Sequence, residues 1–127
     1  MWWITLILIV FAGICNAFMD VLKTRYNRSI FNNLSWKWEK WINPAVSWKN
    51  KWKNGNIEEG PKFFGSSTFL VWVTDFWHMV KMLMLVCIMF AVVFYFPIVS
   101  WWLDVIILYF AFTKTFELFY SKVLIKT

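Results

Sequence analysis

The chain has 127 residues, enough for one domain, and is 61% hydrophobic, 23% aromatic and only 16% charged. A water-soluble core of that size has no room for so much apolar surface, which excludes an ordinary soluble globular domain. The net charge of +6 is concentrated in one internal segment, and that asymmetry carries information about orientation.

The first predicted element runs from Trp2 to about Leu22. It is long enough to cross a hydrocarbon layer of about 30 Å, which takes roughly 20 helical residues. No lysine or arginine precedes the apolar run, and Ile14 stands before Cys15 where a lipoprotein signal calls for a small residue. The segment is therefore expected to be a retained membrane helix and not a cleaved signal. Asn16, Asp20, Lys23 and Asn27 follow helical spacing and form one polar stripe. Continued backward, the stripe meets Ala12 and Thr5, small enough for close helix contact. Cys15 and Cys87 both fall inside apolar runs, where a thiol packs as a small apolar group and implies no disulfide framework.

Residues 23–66 form the large loop. Lys23, Arg25, Arg28, Lys37, Lys40, Lys49, Lys51, Lys53 and Lys62 outnumber Glu39, Glu58 and Glu59 there. Trp36, Trp38, Trp41, Trp48 and Trp52 alternate with Lys37, Lys40, Lys49, Lys51 and Lys53, a pattern suited to the headgroup layer of an anionic membrane. Ile30, Phe31, Leu34, Trp38 and Trp41 recur at helical spacing, so an interfacial amphipathic helix is expected over 29–42, stopping before Pro44. Asn54-Gly55-Asn56 and Gly60-Pro61 are turn signals, and Ser66 or Ser67 is a candidate cap for the next helix. Basic residues interleaved with aromatics also suit nucleic acid, but no folded binding module accompanies them, and no nucleic-acid partner is expected. Asn27-Arg28-Ser29 and Asn33-Leu34-Ser35 fit a glycosylation sequon and are coincidental on a cytoplasmic loop.

The second span is expected over about 67–96, with its membrane core at 77–96, and the third over about 98–120, leaving a short tail at 121–127. The link from Phe96 to Trp101 carries no charge, whereas the loop and the tail lysines Lys122 and Lys126 are basic. The positive-inside rule then places the amino terminus and the Pro97 turn outside, with loop and carboxyl terminus in the cytoplasm of a cell-membrane protein. Asp104, after Trp101 and Trp102, reads as a hydrated residue beside an outer aromatic belt. The fold class expected is an all-α integral membrane protein: a single domain of three transmembrane helices plus a cytoplasmic interfacial Trp/Lys-rich amphipathic segment.

Ionisable residues within membrane helices are functional candidates because burying them is costly. Asp20, Asp75, His78 and Glu117 all fall near the cytoplasmic boundary of their spans, and antiparallel packing would bring them to one depth. Three carboxylates and an imidazole suit a divalent metal, and a metal at the headgroup plane suits chemistry on a lipid phosphate with His78 or a carboxylate as general base. The same residues would also serve a proton relay. The plainer reading is a set of boundary charges, with Asp75–His78 and Lys114–Glu117 as local i, i+3 pairs. The leading functional expectation is a non-enzymatic subunit, scaffold or regulator, as a homo-oligomer or within a larger membrane complex. The alternatives are a metal-dependent enzyme acting on a lipid headgroup and a small ion or proton conductor.

Overall fold

The computed structural model describes residues 1–32 and 36–125, and the side chain of Trp36 is not among the groups described. Leu34, the sequon at Asn33-Leu34-Ser35, the interfacial role of the Trp36 ring and Lys126 of the tail thus lie outside the described residues. Within them the chain is helical. No strand forms there, only the isolated antiparallel bridges Ser29–Ile125 and Trp52–Pro61.

Helix α1 spans Trp2–Thr24. Its apolar side chains leave backbone amides no partner but one another, and the helix stops where Lys23, Thr24 and Arg25 restore polarity. The Thr24 hydroxyl donates back to the Asp20 carbonyl at 2.6 Å, closing the last turn. Thr5, Ala12, Gly13 and Ala17 make its buried face, joined near the end by Val21 and Leu22. The small residues expected at Thr5 and Ala12 are therefore at a helix contact, as are Gly13 and Ala17.

Helix α2 covers Trp36–Ile42 and α3 covers Pro44–Ser47. The interfacial helix expected over 29–42 is shorter: Ser29, Ile30 and Phe31 turn instead of winding, because Ile30 N–H is taken by the Leu124 carbonyl at 2.9 Å. The stop before Pro44 is where expected. Asn43 is extended and its side chain accepts from Ala45 N–H at 3.0 Å, so it caps α3. Short 3-10 turns follow, and Asn54 (φ 52°) with Gly55 (φ 72°) takes the left-handed region that Asn-Gly tolerates best.

Helix α4 spans Phe76–Val93, starting nine residues after the expected span start at 67 and one residue before the expected membrane core at 77. Neither Ser66 nor Ser67 caps it. Ser66 is buried and donates to the Lys51 carbonyl at 2.7 Å, tying two loop strands together. The β-branched residues Thr68, Val71, Val73 and Thr74 resist helix, and Thr74 donates to the Val71 carbonyl at 2.7 Å. The cap is Asp75, whose carboxylate accepts from His78 N–H at 2.8 Å. At the other end Pro97 prevents continuation.

Helix α5 spans Trp101–Leu118 and runs into a π turn at Phe119–Val123. Helix α1 packs along both α4 and α5, which pack far less against each other, so α1 is the spine of the three. Thr5 donates to the Phe94 carbonyl at 3.3 Å, pairing the start of α1 with the end of α4. Phe18 meets Phe76 at 6.1 Å between ring centroids, pairing the end of α1 with the start of α4. The Thr24 and Tyr120 hydroxyls, 3.3 Å apart, join the ends of α1 and α5. Hence α4 is antiparallel to α1 and α5 parallel to it.

Helices α1 and α4 are long and apolar enough to cross a membrane. Helix α5 matches α4 in length but carries Asp104, Lys114 and Glu117, and falls short of the same standard. The described core lies at the loop end, where Ala17, Val21, Leu22, Phe31, Ile42 and Leu124 are buried together.

Candidate functional site

Asp75 and His78 are the one pair of the sequence-predicted set that the fold brings into contact. Being three apart at a helix start, they share a face. His78 Nδ1 lies 2.7 Å from Asp75 Oδ2 and 2.9 Å from Oδ1, while the same carboxylate accepts the His78 backbone N–H. Asp75 is 2% exposed. Its charge is thus held by an imidazole nitrogen and an amide, the condition under which a buried carboxylate is tolerated. Trp77 packs edge-on against the imidazole at 5.0 Å, and Lys81 sets its ammonium 5.4 Å from the Trp77 ring.

The other two members stand apart. Glu117 is an exposed residue of α5 and pairs with Lys114 at 3.5 Å, the expected local pair. Asp20 is half-buried on α1, where its backbone carbonyl receives the Thr24 hydroxyl. Among the described residues no three His, Cys, Asp or Glu side chains gather closely enough to hold a metal ion. Of Asp20, Asp75, His78 and Glu117, expected together as metal ligands or as a catalytic group, the fold brings only Asp75 and His78 into contact. The reason is topological: α1 stands between α4 and α5, and rings fill the space at their shared end. Phe31 meets Phe18 at 5.5 Å and Phe76 at 5.8 Å, with Trp41 5.4 Å from Phe76 on the far side. The helix ends share one level, as expected, but an aromatic plug occupies it instead of an acidic cluster.

The loop folds over that plug. Asn50 donates from its amide to the Lys40 and Thr74 carbonyls, both at 2.9 Å, stapling α2 to the approach of α4. Trp41 donates from its indole to the Val73 carbonyl at 3.2 Å. Trp41 and Trp52 are therefore framework residues, half-buried, whereas Trp38 and Trp48 are exposed together with Lys37, Lys40, Lys49 and Lys53. Lys49 lies over the Trp48 ring at 5.6 Å and Lys51 over Trp52 at 6.0 Å. An open cavity of about 680 Å³ is lined by Lys40, Lys49, Lys62 and Trp52 among others. Chemically this layer offers ammonium groups beside indole rings. The Tyr26 phenol, under the same layer, donates to the Phe31 carbonyl at 3.0 Å, and burial, then the Glu39 carboxylate, holds its pKa above the usual value.

At the opposite end Asp104 overturns its expected hydrated state. It is 1% exposed. Its carboxylate accepts from the Tyr95 hydroxyl, from Ile98 N–H at 2.9 Å and from Val99 N–H at 3.0 Å. An acid one helical turn after an uncharged, proline-containing link was the available signal, since such a turn exposes amides that need an acceptor.

Comparison of the chain with protein-family models, with curated proteins and with solved structures returned no match.

Proposed function

We propose that the chain is a small, non-enzymatic, multi-pass membrane protein that serves as a subunit, scaffold or regulator and covers the cytoplasmic leaflet with its Trp/Lys layer. The observation that carries this reading is the distribution of polarity. Met89, Phe90, Val92 and Val93 of α4 and Val105, Ile106, Tyr109 and Phe110 of α5 are all exposed, whereas the exposed lysines of the loop gather beyond the opposite end of α4. Apolar patches of that extent are unfavourable in water and ordinary against lipid.

In this reading α5 is the third span. Its charges suit that place: Asp104 is satisfied at one end, and Lys114 and Glu117 pair near the other, where charges cost far less than at the midplane. Lipid provides no hydrophobic drive between helices, so the open side between α4 and α5 favours self-association or a larger partner.

The test is extraction and labelling. The chain is expected to stay with membranes in alkaline carbonate. With Cys15 and Cys87 replaced by serine, Lys53→Cys should react with an impermeant thiol reagent only from the cytoplasmic side and Val99→Cys only from outside. Release by carbonate, or labelling of both sites from one side, would sink the three-span reading.

A further inference from the structure

A groove of about 280 Å³ runs beside α4 between that helix and the segment before it, lined by Trp72, His78, Lys81, Met82, Leu85 and Met89 among others. The five helical residues are spaced i, i+3, i+4, i+7 and i+11, so they make one continuous face. Its polarity is graded. His78 and Lys81 stand at the beginning, and everything further along is apolar and exposed or half-exposed. From His78 to Met89 the helix rises about 16 Å, close to one leaflet of a hydrocarbon core about 30 Å thick.

The polar end presents one ammonium, that of Lys81, beside the Asp75–His78 pair. Both Asp75 oxygens are engaged by His78 Nδ1, and one of them also by the His78 amide. With Nδ1 turned to Asp75, Nε2 is the free edge of the ring. Lys81 is exposed, and among the described residues its ammonium rests over Trp77 without a carboxylate beside it. A groove this small does not enclose a lipid; it covers part of one chain lying along the helix.

We propose that this groove binds one anionic glycerophospholipid of the cytoplasmic leaflet, its phosphate against Lys81 and the Nε2 edge of His78, and one acyl chain along Met82, Leu85 and Met89. The site rests on the membrane reading given above. Charge complementarity selects the occupant: a second copy of α4 would bring another Lys81 face and no anion, whereas a lipid phosphate meets the ammonium while its chain covers the apolar stripe. Within the proposed role, the lipid fills the flank of α4 that α1 leaves open.

Native mass spectrometry of the full-length protein, extracted in neutral detergent from mixed vesicles of phosphatidylglycerol and phosphatidylcholine, tests the site. One retained lipid per chain is expected, with phosphatidylglycerol favoured. Lys81→Gln should reduce that preference about fivefold, the effect of one lysine at an anionic surface, and Lys81→Arg should restore it. Leu85→Trp should fill the groove and abolish retention of both lipids, whereas Lys122→Gln, outside both the groove and the Trp/Lys layer, should leave retention unchanged. Undiminished retention in Leu85→Trp, a preference that survives Lys81→Gln, or a lipid-free dimer that Leu85→Trp dissociates would each overturn the proposal. A chain released by carbonate overturns the membrane reading and the site with it; a membrane-held chain with no retained lipid overturns the site alone.

Discussion

Asp75 does two jobs whose energies separate by substitution. As a cap it accepts the His78 amide, and as a counter-charge it holds His78 Nδ1. Asparagine caps helices as well as aspartate does, whereas alanine loses about 1 kcal/mol. Asp75→Asn is therefore expected to unfold in detergent titrations close to the wild type, and Asp75→Ala about 1 kcal/mol earlier. Equal losses in the two variants would mean that the imidazole contact, and not the cap, is the main term. The i, i+3 spacing of this pair was legible in the sequence because it depends only on local helix geometry. For Asp104 the sequence offered only an acid after a proline-containing link, since its three donors come from a turn whose shape is set by where α4 ends and α5 begins.

At the scale of elements, α1 and α5 approach closely at Gly13. A Cβ there would lie 2.7 Å from the Phe112 carbonyl oxygen and 3.3 Å from Thr115 Cβ, so α1 and α5 meet backbone to backbone without space for a methyl group. Gly13→Val is expected to destabilise the chain by about 2 kcal/mol through overpacking, read as a shift in thermal unfolding in detergent. A variant as stable as the wild type would show that the α1–α5 contact is looser than this. The start of α4 carries a different lesson. Hydropathy alone extends the second span back to residue 67, because Phe69, Leu70, Val71 and Trp72 are as apolar as a membrane helix. What stops the helix is the Asp75 cap together with the β-branched run before it; hydropathy registers Asp75 as one polar residue but not its capping role. The interfacial helix likewise loses its first residues to a contact with the carboxyl-terminal segment, 94 residues away in the chain between Ile30 and Leu124.

For the whole molecule, the basic loop is the feature that orients the chain in the proposed membrane. Replacing Lys37, Lys40, Lys49, Lys51 and Lys53 together with glutamine removes five of the nine basic residues of the loop. Mixed orientation is the expected outcome, with part of the Val99→Cys population becoming reactive from the cytoplasmic side. Uniform labelling from outside in that variant would show that orientation does not depend on these lysines.

Composition and periodicity by themselves determined that the chain is helical, that it contains membrane-length apolar segments, and that its basic and aromatic residues collect in one loop. They suffice for this because helix formation and apolar length are properties of contiguous residues. The order of the helices across the bundle was decided only by tertiary packing. Four acidic and imidazole side chains at one depth look like a site in one dimension, but depth is one coordinate and a site needs three. With α1 between α4 and α5, and Phe18, Phe31, Trp41 and Phe76 filling the shared end, Asp75 keeps His78 while Asp20 and Glu117 remain on other faces. Small residues at Ala12, Gly13 and Ala17 draw α1 into that middle position, and the groove beside α4 is what its placement leaves open.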